Sequence, residues 1–357
     1  MRDATPLWSA NLRGSGSAPL LADGDFVFVS QGNNREVGCF RSADGRRIWW
    51  VHDFLNDKVE TYAVPVIFED RVFLLFSNGD LNIFARRSGK WLTEPKNLAQ
   101  DYDARAPLNG YASAPLLCDG KLILNPGAQG ASLVALDPQT LKEVWRSPGR
   151  RTSRSYFITG TFGGVKQIVG FDHDSLGGWA PDTGKRLWML DTPDRTEDAG
   201  EALFESNGQL LVSTSNRATA LYRFGANGVI EEKPAAVNPK PRGQIHALSR
   251  RLAIGIGDGL CCLNLDDELK EGWHFTEDTL PHAWFALVDA SQQLWIFTSD
   301  GTLHVMKFSA SKVGVLASWK LCDAITAYPA LTADRLFVRS NTALLAFDAK
   351  ALAAPRP

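Results

Sequence analysis

Hydrophobic and polar positions follow one repeated pattern along the whole chain. A short apolar segment meets a polar turn, and a second apolar segment follows. Apolar runs of this length separated by turn residues predict β-hairpins. The eight turns are Ala22–Asp25, Glu69–Arg71, Cys118–Lys121, Phe162–Val165, Ser206–Gln209, Ser249–Arg251, Ser291–Gln293 and Ala333–Arg335.

A second repeated unit is clearest in Leu176–Trp188, with the sequence LGGWAPDTGKRLW. A strand over Leu176–Ala180 enters the turn PDTG, and a second strand ends at the Trp. Glycine takes the positive φ that a tight hairpin needs, and the indole that follows is too large to leave in water. We therefore expect this Trp to pack against the neighbouring repeat. Similar units are Ser42–Trp49 and Asp137–Trp145.

The spacing of the Trp residues gives the length of the repeat. Successive steps are 41, 96, 43, 85 and 46 residues. Units near Leu92 and Glu231 that keep the turn but lose the Trp register halve the two long steps. A period in the forties with short strands is typical of a β-propeller blade. The residues expected to dock between blades are Trp8, Trp49, Trp145, Trp188, Trp273 and Trp319.

These two patterns predict an all-β fold, an eight-bladed β-propeller of four-stranded antiparallel blades. The last unit stops at its turn, so we expect the N-terminal strand over 6–12 to complete it and close the ring. We expect one domain over residues 1–357. Its blades are predicted near 17–50, 63–94, 112–146, 155–190, 202–232, 245–275, 283–320 and 328–348 with 6–12.

Composition narrows the classes of function. The formal charge of −2 gives no electrostatic footprint for nucleic acid, and no apolar run is long enough to span a membrane. The N-terminal segment MRDATPLWSANL lacks the apolar core of a signal peptide. We expect a periplasmic or cell-envelope protein if a leader has been removed, and a cytoplasmic one otherwise. We expect the protein to be monomeric on its own.

Two groups of residues are candidates for binding at the mouth of the propeller channel. Aromatic side chains at the starts of the inner strands would stack a sugar, a peptide or a flat ring, although such rings also plug propeller channels. The candidates are Tyr62, Tyr111, Tyr156, His246, Trp284 and Tyr328, with His282 beside them. Arg150, Arg151 and Arg154 form a local basic cluster that suits a carboxylate of a partner, or simply a solvated loop.

Catalytic motifs are missing from the sequence. The six His residues lie in no metal-binding or nucleophile motif, and G-x-S-x-G does not occur. The five Cys residues have no metal-type spacing. Cys261 and Cys262 fall in mid-strand, where adjacent side chains point to opposite faces, so we expect a structural role for both.

The unit with a strand, D-T-G-K and a Trp resembles the quinoprotein (PQQ-like) repeat, and the resemblance covers essentially the whole chain. It implies eight blades with Trp docking between them. One branch of that family is non-enzymatic and includes the outer-membrane assembly lipoprotein of the BamB type. The other comprises alcohol and sugar dehydrogenases that hold PQQ and Ca²⁺ in the channel.

The dehydrogenase branch implies a general base and oxygen ligands for a hard cation. The acidic residues on predicted rim loops are Asp101, Asp103, Glu197, Asp198 and Glu201, and none lies in a recognisable motif. We therefore expect no cofactor and no metal, and no catalytic residue is assigned. The predicted function is a non-catalytic binding or scaffolding propeller that engages a protein or peptide through its inter-blade loops. The alternative is a quinoprotein dehydrogenase or carbohydrate-active enzyme with its site at the channel mouth, and only this alternative carries PQQ with calcium.

Overall fold

The computed structural model describes residues 1–12, 16–31, 36–52, 63–107, 109–153, 155–192, 201–214, 218–240, 244–257, 259–276 and 280–353. The chain divides by its internal contacts into two compact units. Unit 1 comprises Met1–Lys58, Ser215–Ala218 and Asn238–Pro357, and unit 2 comprises Val59–Thr214 and Thr219–Val237.

Short strands make up nearly all of the regular structure. The strands of the N-terminal half are β1 (Arg2–Asp3), β2 (Trp8–Asn11), β3 (Leu21–Asp23), β4 (Phe26–Gln31), β5 (Glu36–Arg41), β6 (Arg47–His52), β7 (Val66–Phe68), β8 (Arg71–Leu75), β9 (Asp80–Ala85), β10 (Lys96–Asn97), β11 (Leu116–Cys118), β12 (Lys121–Leu124), β13 (Leu133–Leu136), β14 (Glu143–Ser147), β15 (Ile158–Phe162), β16 (Val165–Phe171) and β17 (Ser175–Trp179). Those of the C-terminal half are β18 (Arg186–Asp191), β19 (Glu201–Ser206), β20 (Gln209–Thr214), β21 (Thr219–Tyr222), β22 (Ala236–Asn238), β23 (Gln244–Ser249), β24 (Leu252–Gly257), β25 (Gly259–Asn264), β26 (Lys270–Phe275), β27 (Ala283–Val288), β28 (Leu294–Thr298), β29 (Thr302–Phe308), β30 (Val313–Lys320), β31 (Ala330–Leu331), β32 (Arg335–Arg339) and β33 (Ala343–Asp348).

Over the described ranges these strands form eight sheets, which are the eight blades of a β-propeller. Unit 2 contains the sheets β7–β10, β11–β14, β15–β18 and β19–β22. Unit 1 contains β3–β6, β23–β26, β27–β30 and β31–β33. Strand β2 pairs antiparallel with β33, so the N-terminal strand completes the last blade and the predicted fold class is confirmed.

Strand β1 is an addition that the repeat pattern did not predict. It pairs with the outer strand β30 in parallel, with Arg2 opposite Trp319 and Asp3 opposite Lys320. The sheet β27–β30 therefore has five strands.

The hydrophobic cores lie between neighbouring sheets, because the middle strands of each sheet are buried on both faces. In unit 2, Phe73 and Ile83 of one sheet pack in a cluster with Leu122 and Val134 of the next. In unit 1, Phe297 and Val305 share a cluster with Leu336 and Phe347. Within each unit, neighbouring blades therefore stabilise one another, which is the energetic basis of a repeat fold.

The described residues include two short helices. Helix α1 (Leu98–Asp101) begins after Asn97, whose side chain accepts a hydrogen bond from the backbone N–H of Gln100 at 3.0 Å. Helix α2 (Ala349–Ala353) follows β33. Neither of these two has the length or apolarity needed to cross a membrane.

Candidate functional site

The segment Arg150–Tyr156 connects β14 to β15 in unit 2 and is anchored to the end of β16. Thr152 forms an isolated antiparallel bridge with Asp172. The backbone N–H of His173 donates to the carbonyl of Arg151 at 2.8 Å. These bonds hold the backbone of Arg151 and Thr152 against the end of β16.

Buried hydroxyl groups reinforce this anchoring. Ser153 Oγ donates to the carbonyl oxygen of Phe171 at 3.0 Å and accepts from the N–H of Ser155 at 3.1 Å. The hydroxyl of Ser155 donates to the carboxylate of Glu201, and both residues are buried. Because buried polar groups that satisfy one another specify a single conformation, the segment presents its exposed residues from a rigid base.

Arg150 is a half-exposed cation with a fixed orientation. Its Nη1 donates to Oδ1 of Asp174 at 2.7 Å, and its Nη2 lies 3.1 Å from Oδ1 of Asp191. The hydrogen bond that Arg150 donates to the carboxylate of Asp174 raises the pKa of Arg150 above its usual value. Arg151 is exposed beside it. Arg154, the third predicted cation, lies outside the described residues.

Tyr156 projects between two buried neighbours. It is 42% exposed, whereas Ser155 and Phe157 are buried. The ring of Phe157 makes an edge contact with Trp179 at a centroid distance of 5.8 Å and leaves no room for a side chain at Gly170. An exposed aromatic ring on a base held this firmly loses little conformational entropy when it binds a partner.

A second group of predicted residues lies together in unit 1. Trp284 and Tyr328 have ring centroids 5.1 Å apart, and His246 lies 6.5 Å from Tyr328. Phe285 joins them, stacked on Tyr328 at 4.6 Å and edge-on to His246 at 5.7 Å. We call these four residues the aromatic cluster.

Two β-bulges produce the aromatic cluster. The ladder between β23 and β24 shifts register around His246, and the ladder between β27 and β28 shifts around Trp284. A bulge re-aims the side chain that it carries. Regular strands would turn Trp284 and Phe285 to opposite faces, and the bulge allows both rings to contact Tyr328.

The aromatic cluster is uncharged at neutral pH. Burial lowers the pKa of His246 to about 4, and it raises the pKa of Tyr328. Each shift has the same cause, since a low-dielectric surrounding disfavours the charged form. The cluster therefore suits an apolar or flat group rather than an ion.

The other predicted members of the aromatic set lie elsewhere. Tyr111 is buried in the core of unit 2, where its hydroxyl donates to the carbonyl of Pro126 at 3.2 Å, and burial raises its pKa to about 12. His282 is exposed with a positive φ of 62°. Tyr62 lies outside the described residues.

Two of the acidic residues considered for a cation, Asp101 and Glu201, have other partners. Lys96 Nζ lies 3.3 Å from Asp101 Oδ2, Glu201 bonds with Ser155, and Asp103 takes a positive φ of 51°. Glu197 and Asp198 fall in the part of the chain that the structure does not describe. Among the described residues, no three His, Cys, Asp or Glu side chains are grouped so as to hold a metal ion.

The adjacent cysteines lie within β25 and are both buried as free thiols. Burial raises the pKa of the Cys262 thiol to about 12, so it is protonated and unreactive at neutral pH. Cys262 packs in the core shared by the sheets β23–β26 and β27–β30.

Four of the repeat Trp residues donate to a backbone carbonyl of the adjoining turn or helix. Trp8 Nε1 bonds with Ser42 at 2.9 Å, Trp145 with Pro181 at 3.1 Å, Trp273 with Ser309 at 2.9 Å and Trp319 with Leu352 at 3.0 Å. Trp188 differs, because its Nε1 donates to the side chain of Gln167 at 2.6 Å while its ring contacts Phe224. Trp49 is buried against Phe28.

A buried ion pair beside the Arg150–Tyr156 segment was missed from the sequence. The carboxylate of Asp172, fully buried, accepts from Nη1 of Arg186 at 2.9 Å and from the hydroxyl and N–H of Ser175. The guanidinium of Arg186 stacks over Trp179 at 4.7 Å. Nothing in the local sequence distinguishes this aspartate from the exposed turn aspartates of the other blades.

Comparison with known proteins identifies the family. A family model described as outer membrane protein assembly factor BamB matches residues 2–103 and 103–241. The chain belongs to this family. The predicted resemblance to PQQ-like repeat propellers is thereby confirmed. A search of the curated proteins finds no significant match.

Solved structures with the same fold include BamB, a quinohemoprotein alcohol dehydrogenase and a designed protein. BamB from Moraxella catarrhalis is 13% identical over 96% of this chain and 99% of its own, with a TM-score of 0.66. Quinohemoprotein alcohol dehydrogenase from Comamonas testosteroni is 14% identical, and the match covers 100% of this chain and 77% of the dehydrogenase, with a TM-score of 0.67. The computationally designed Ika8 protein is 12% identical, and the match covers 96% of this chain and 99% of the designed chain, with a TM-score of 0.70. At these identities the likeness shows the fold alone.

Proposed function

We propose that the protein is a non-catalytic binding module that receives a protein or peptide partner on the Arg150–Tyr156 segment. The observation that carries the proposal is Tyr156, an exposed ring on a backbone fixed by buried hydroxyls and by Phe157. Tyrosine and arginine on a rigid surface are the residues that most often dominate binding energy in protein interfaces.

The arginine side chains beside Tyr156 would orient a bound partner. Arg151 offers an exposed guanidinium, and a guanidinium binds a carboxylate through two parallel hydrogen bonds. Arg150 is held by Asp174 and Asp191, so little of its side-chain freedom remains to be lost on binding. A partner with an acidic group next to an apolar patch fits this surface. Membership of the BamB family supports a protein as the partner.

Photo-crosslinking from position 156 tests the proposal in the host cell. A benzoylphenylalanine placed at Tyr156 should give a discrete crosslinked species that disappears when Arg150 and Arg151 are both replaced by alanine. The matched control is the same probe at Val144, which is 50% exposed on β14 of the same unit.

Purified partner identified from that species should then bind the protein in calorimetry, and Tyr156→Ala should weaken binding by about tenfold or more. Equal crosslinking from positions 144 and 156, or unchanged affinity in Tyr156→Ala, would contradict the proposed surface.

The quinoprotein alternative stays a prediction with its own test. Titration with PQQ and Ca²⁺ should raise the melting temperature if the chain holds the cofactor, because a ligand that binds only the folded state stabilises it. Saturable stabilisation with a matching change in cofactor absorbance would favour that branch over the binding module.

A further inference from the structure

A cleft of about 420 Å³ lies within unit 1, where strand β2 faces the outer strands β5 and β6 of the sheet β3–β6. Its volume lies in the range of small-molecule sites. The side chains that give the cleft its chemistry are Asn11 of β2, Glu36 and Phe40 of β5, and Arg47, Trp50 and His52 of β6.

The ladder between β5 and β6 decides which side chains share a face. Glu36 lies directly opposite His52, and Gly38 lies opposite Trp50. Side chains opposite one another in an antiparallel pair point to the same face, and so do residues two positions apart in one strand. Glu36, Trp50 and His52 therefore project from one face of the sheet, into the cleft.

A β-bulge adds an arginine to that face. Arg47 and Trp50 are three positions apart, and a regular strand would turn their side chains to opposite faces. The register shifts so that Phe40 pairs with Arg47 while Cys39 pairs with Trp49. The extra residue in β6 re-aims the side chains beside it, and Arg47 lines the cleft together with Trp50.

Trp50 is held in place by a glycine and a second ring. A Cβ added at Gly38 would lie 2.3 Å from the indole, so only glycine at this position lets the ring pack against the sheet. Phe40 contacts the ring at a centroid distance of 6.2 Å and an angle of 78°. The indole is half-buried and lines the cleft, so it presents a flat apolar surface in a fixed position.

The repeat does not require an aromatic residue at this position. Trp50 directly follows the repeat Trp49, which is the buried one of the two. The residues that follow the repeat Trp in other blades are Ser9, Arg146, Met189, His274 and Lys320. The second indole is therefore a feature of this blade, and tryptophan presents a large binding surface with few rotatable bonds.

Polar groups stand around the ring. Oε1 of Glu36 lies 2.5 Å from Nδ1 of His52, and this hydrogen bond fixes the orientation of the carboxylate, whose side chain is 12% exposed. Asn11 and Arg47 are exposed, and neither side chain makes a hydrogen bond to another described residue. The cleft thus offers carboxylate and amide oxygens as acceptors and amide and guanidinium N–H groups as donors.

The lining carries one permanent charge of each sign. Glu36 is the carboxylate and Arg47 is the guanidinium. An anionic ligand is repelled by the first and a cationic ligand by the second, so the pair favours a neutral ligand. A flat apolar ligand would cover these polar groups without forming hydrogen bonds to them, which costs free energy.

We propose that this cleft binds a neutral pyranose sugar. The C–H face of the sugar stacks on the indole of Trp50, and its hydroxyl groups form hydrogen bonds with Glu36, Asn11 and Arg47. A pyranose carries an apolar face and a rim of hydroxyl groups in one small ring, which is the combination that the lining complements. This site is separate from the Arg150–Tyr156 segment, which belongs to unit 2, and it does not depend on the function proposed for that segment.

Binding of simple sugars to the full-length protein tests the cleft by saturation-transfer NMR and NMR titration. The probes are the methyl glycosides of glucose, galactose and mannose, which are neutral and differ in the orientation of their hydroxyl groups. Matched probes are glucuronic acid and glucosamine, which add a charge. Sorbitol keeps the hydroxyl groups without the ring, and benzyl alcohol keeps a flat apolar ring with one hydroxyl group.

Three variants change the cleft. Trp50→Leu removes the ring, and Arg47→Ala and Asn11→Ala each remove one exposed polar group. Because Arg47 and Asn11 are exposed, their variants keep the test valid if Trp50→Leu does not fold.

The chain offers a matched control for each kind of change. Trp91→Leu removes another half-buried indole, one that contacts Phe84 at an angle of 70° in unit 2. Arg46→Ala removes the exposed arginine next to Arg47, which does not line the cleft.

We expect at least one of the three methyl glycosides to bind saturably at millimolar concentration, with the strongest saturation transfer at the C–H protons of one ring face. Its affinity should fall at least about fivefold in Trp50→Leu and about threefold in Arg47→Ala and Asn11→Ala. It should be unchanged in Trp91→Leu and Arg46→Ala. Weaker binding of all the matched probes would support a neutral sugar that stacks on the ring.

Three results would overturn the proposal. The first is no saturable binding of any of the three methyl glycosides, and the second is an equal loss of affinity in the cleft variants and their controls. The third is binding of a matched probe that equals or exceeds that of the methyl glycosides. Glucuronic acid or glucosamine would then assign the cleft to an ion, sorbitol would remove the stacking, and benzyl alcohol would assign the cleft to an apolar ring.

Discussion

The indole ring of Trp145 lies directly against Gly184, the glycine that ends the hairpin turn of the next blade. Nε1 of the same ring donates to the carbonyl of Pro181 at the start of that turn, at 3.1 Å. A Cβ added at Gly184 would overlap the ring. Trp8 and Gly45 repeat the contact in unit 1. The two most frequent features of the repeat, the turn glycine and the Trp, are thus the two sides of one inter-blade contact.

Gly184→Ala should therefore destabilise the protein by more than backbone strain alone. Alanine at a φ of 69° costs about 1–2 kcal/mol, and overlap with the Trp145 ring adds about 1–3 kcal/mol. Gly120→Ala is the matched control, because Gly120 has a φ of 70° and no atom within 4 Å of an added Cβ. Urea unfolding of both variants measures the difference. Equal losses of unfolding free energy in the two variants would show that the Trp145 ring moves aside with no energetic penalty.

The repeat made the fold predictable from sequence because each blade uses the same local chemistry. Turn glycines, apolar runs of strand length and the Trp period are all short-range signals. The closure of the last blade by β2 followed from a missing strand at the end of the repeat. The pairing of β1 with β30 was not predictable, because two residues of extended chain carry no pattern.

The candidate site depends on long-range register, which the sequence does not encode locally. Tyr111 and Tyr328 both precede an inner strand, yet Tyr111 is buried in the core of unit 2 and Tyr328 joins three other rings in unit 1. The bulges at His246 and Trp284 decide which side chains meet. Phe285 was missed for this reason, since regular alternation would direct it away from Trp284.

Blade closure can be tested at Leu7, whose N–H donates to the carbonyl of Ala346 at 2.7 Å while its side chain is 54% exposed. Leu7→Pro removes this donor, and we expect a loss of about 1–3 kcal/mol in the free energy of unfolding. Leu7→Ala keeps the donor and should change stability by less than about 0.5 kcal/mol. Thermal and urea unfolding provide both values. If the two variants are equally stable, the pairing of β2 with β33 contributes little to closure.

The buried pair of Asp172 and Arg186 should matter far more than an exposed pair of the same chemistry. Asp172→Ala leaves the guanidinium of Arg186 without its carboxylate inside unit 2, and we expect a loss of about 3–5 kcal/mol. Asp44→Ala breaks the exposed pair with Arg41 and is the matched control, for which we expect a much smaller change. The backbone of Asp172 pairs with Thr152, so losing the buried side-chain contacts that hold residue 172 in place should in addition raise hydrogen exchange in Arg150–Tyr156. A small loss in Asp172→Ala would show that water enters and solvates Arg186.

Protonation of His246 should make stability depend on pH between about 4 and 6.5. The folded-state pKa of about 4 lies below the ordinary value of 6.5, so the unfolded chain binds the proton more readily in this interval. The stability that the neutral His246 side chain gives to the folded state is complete above pH 6.5 and is lost as the pH falls toward 4. Tyr328, the titratable ring in contact with His246, has a raised pKa and stays neutral throughout. In His246→Phe the free energy of unfolding, measured in urea at pH 7, 6 and 5, should fall less steeply than in the parent protein. Parallel slopes would show that the imidazole is hydrated in the folded state.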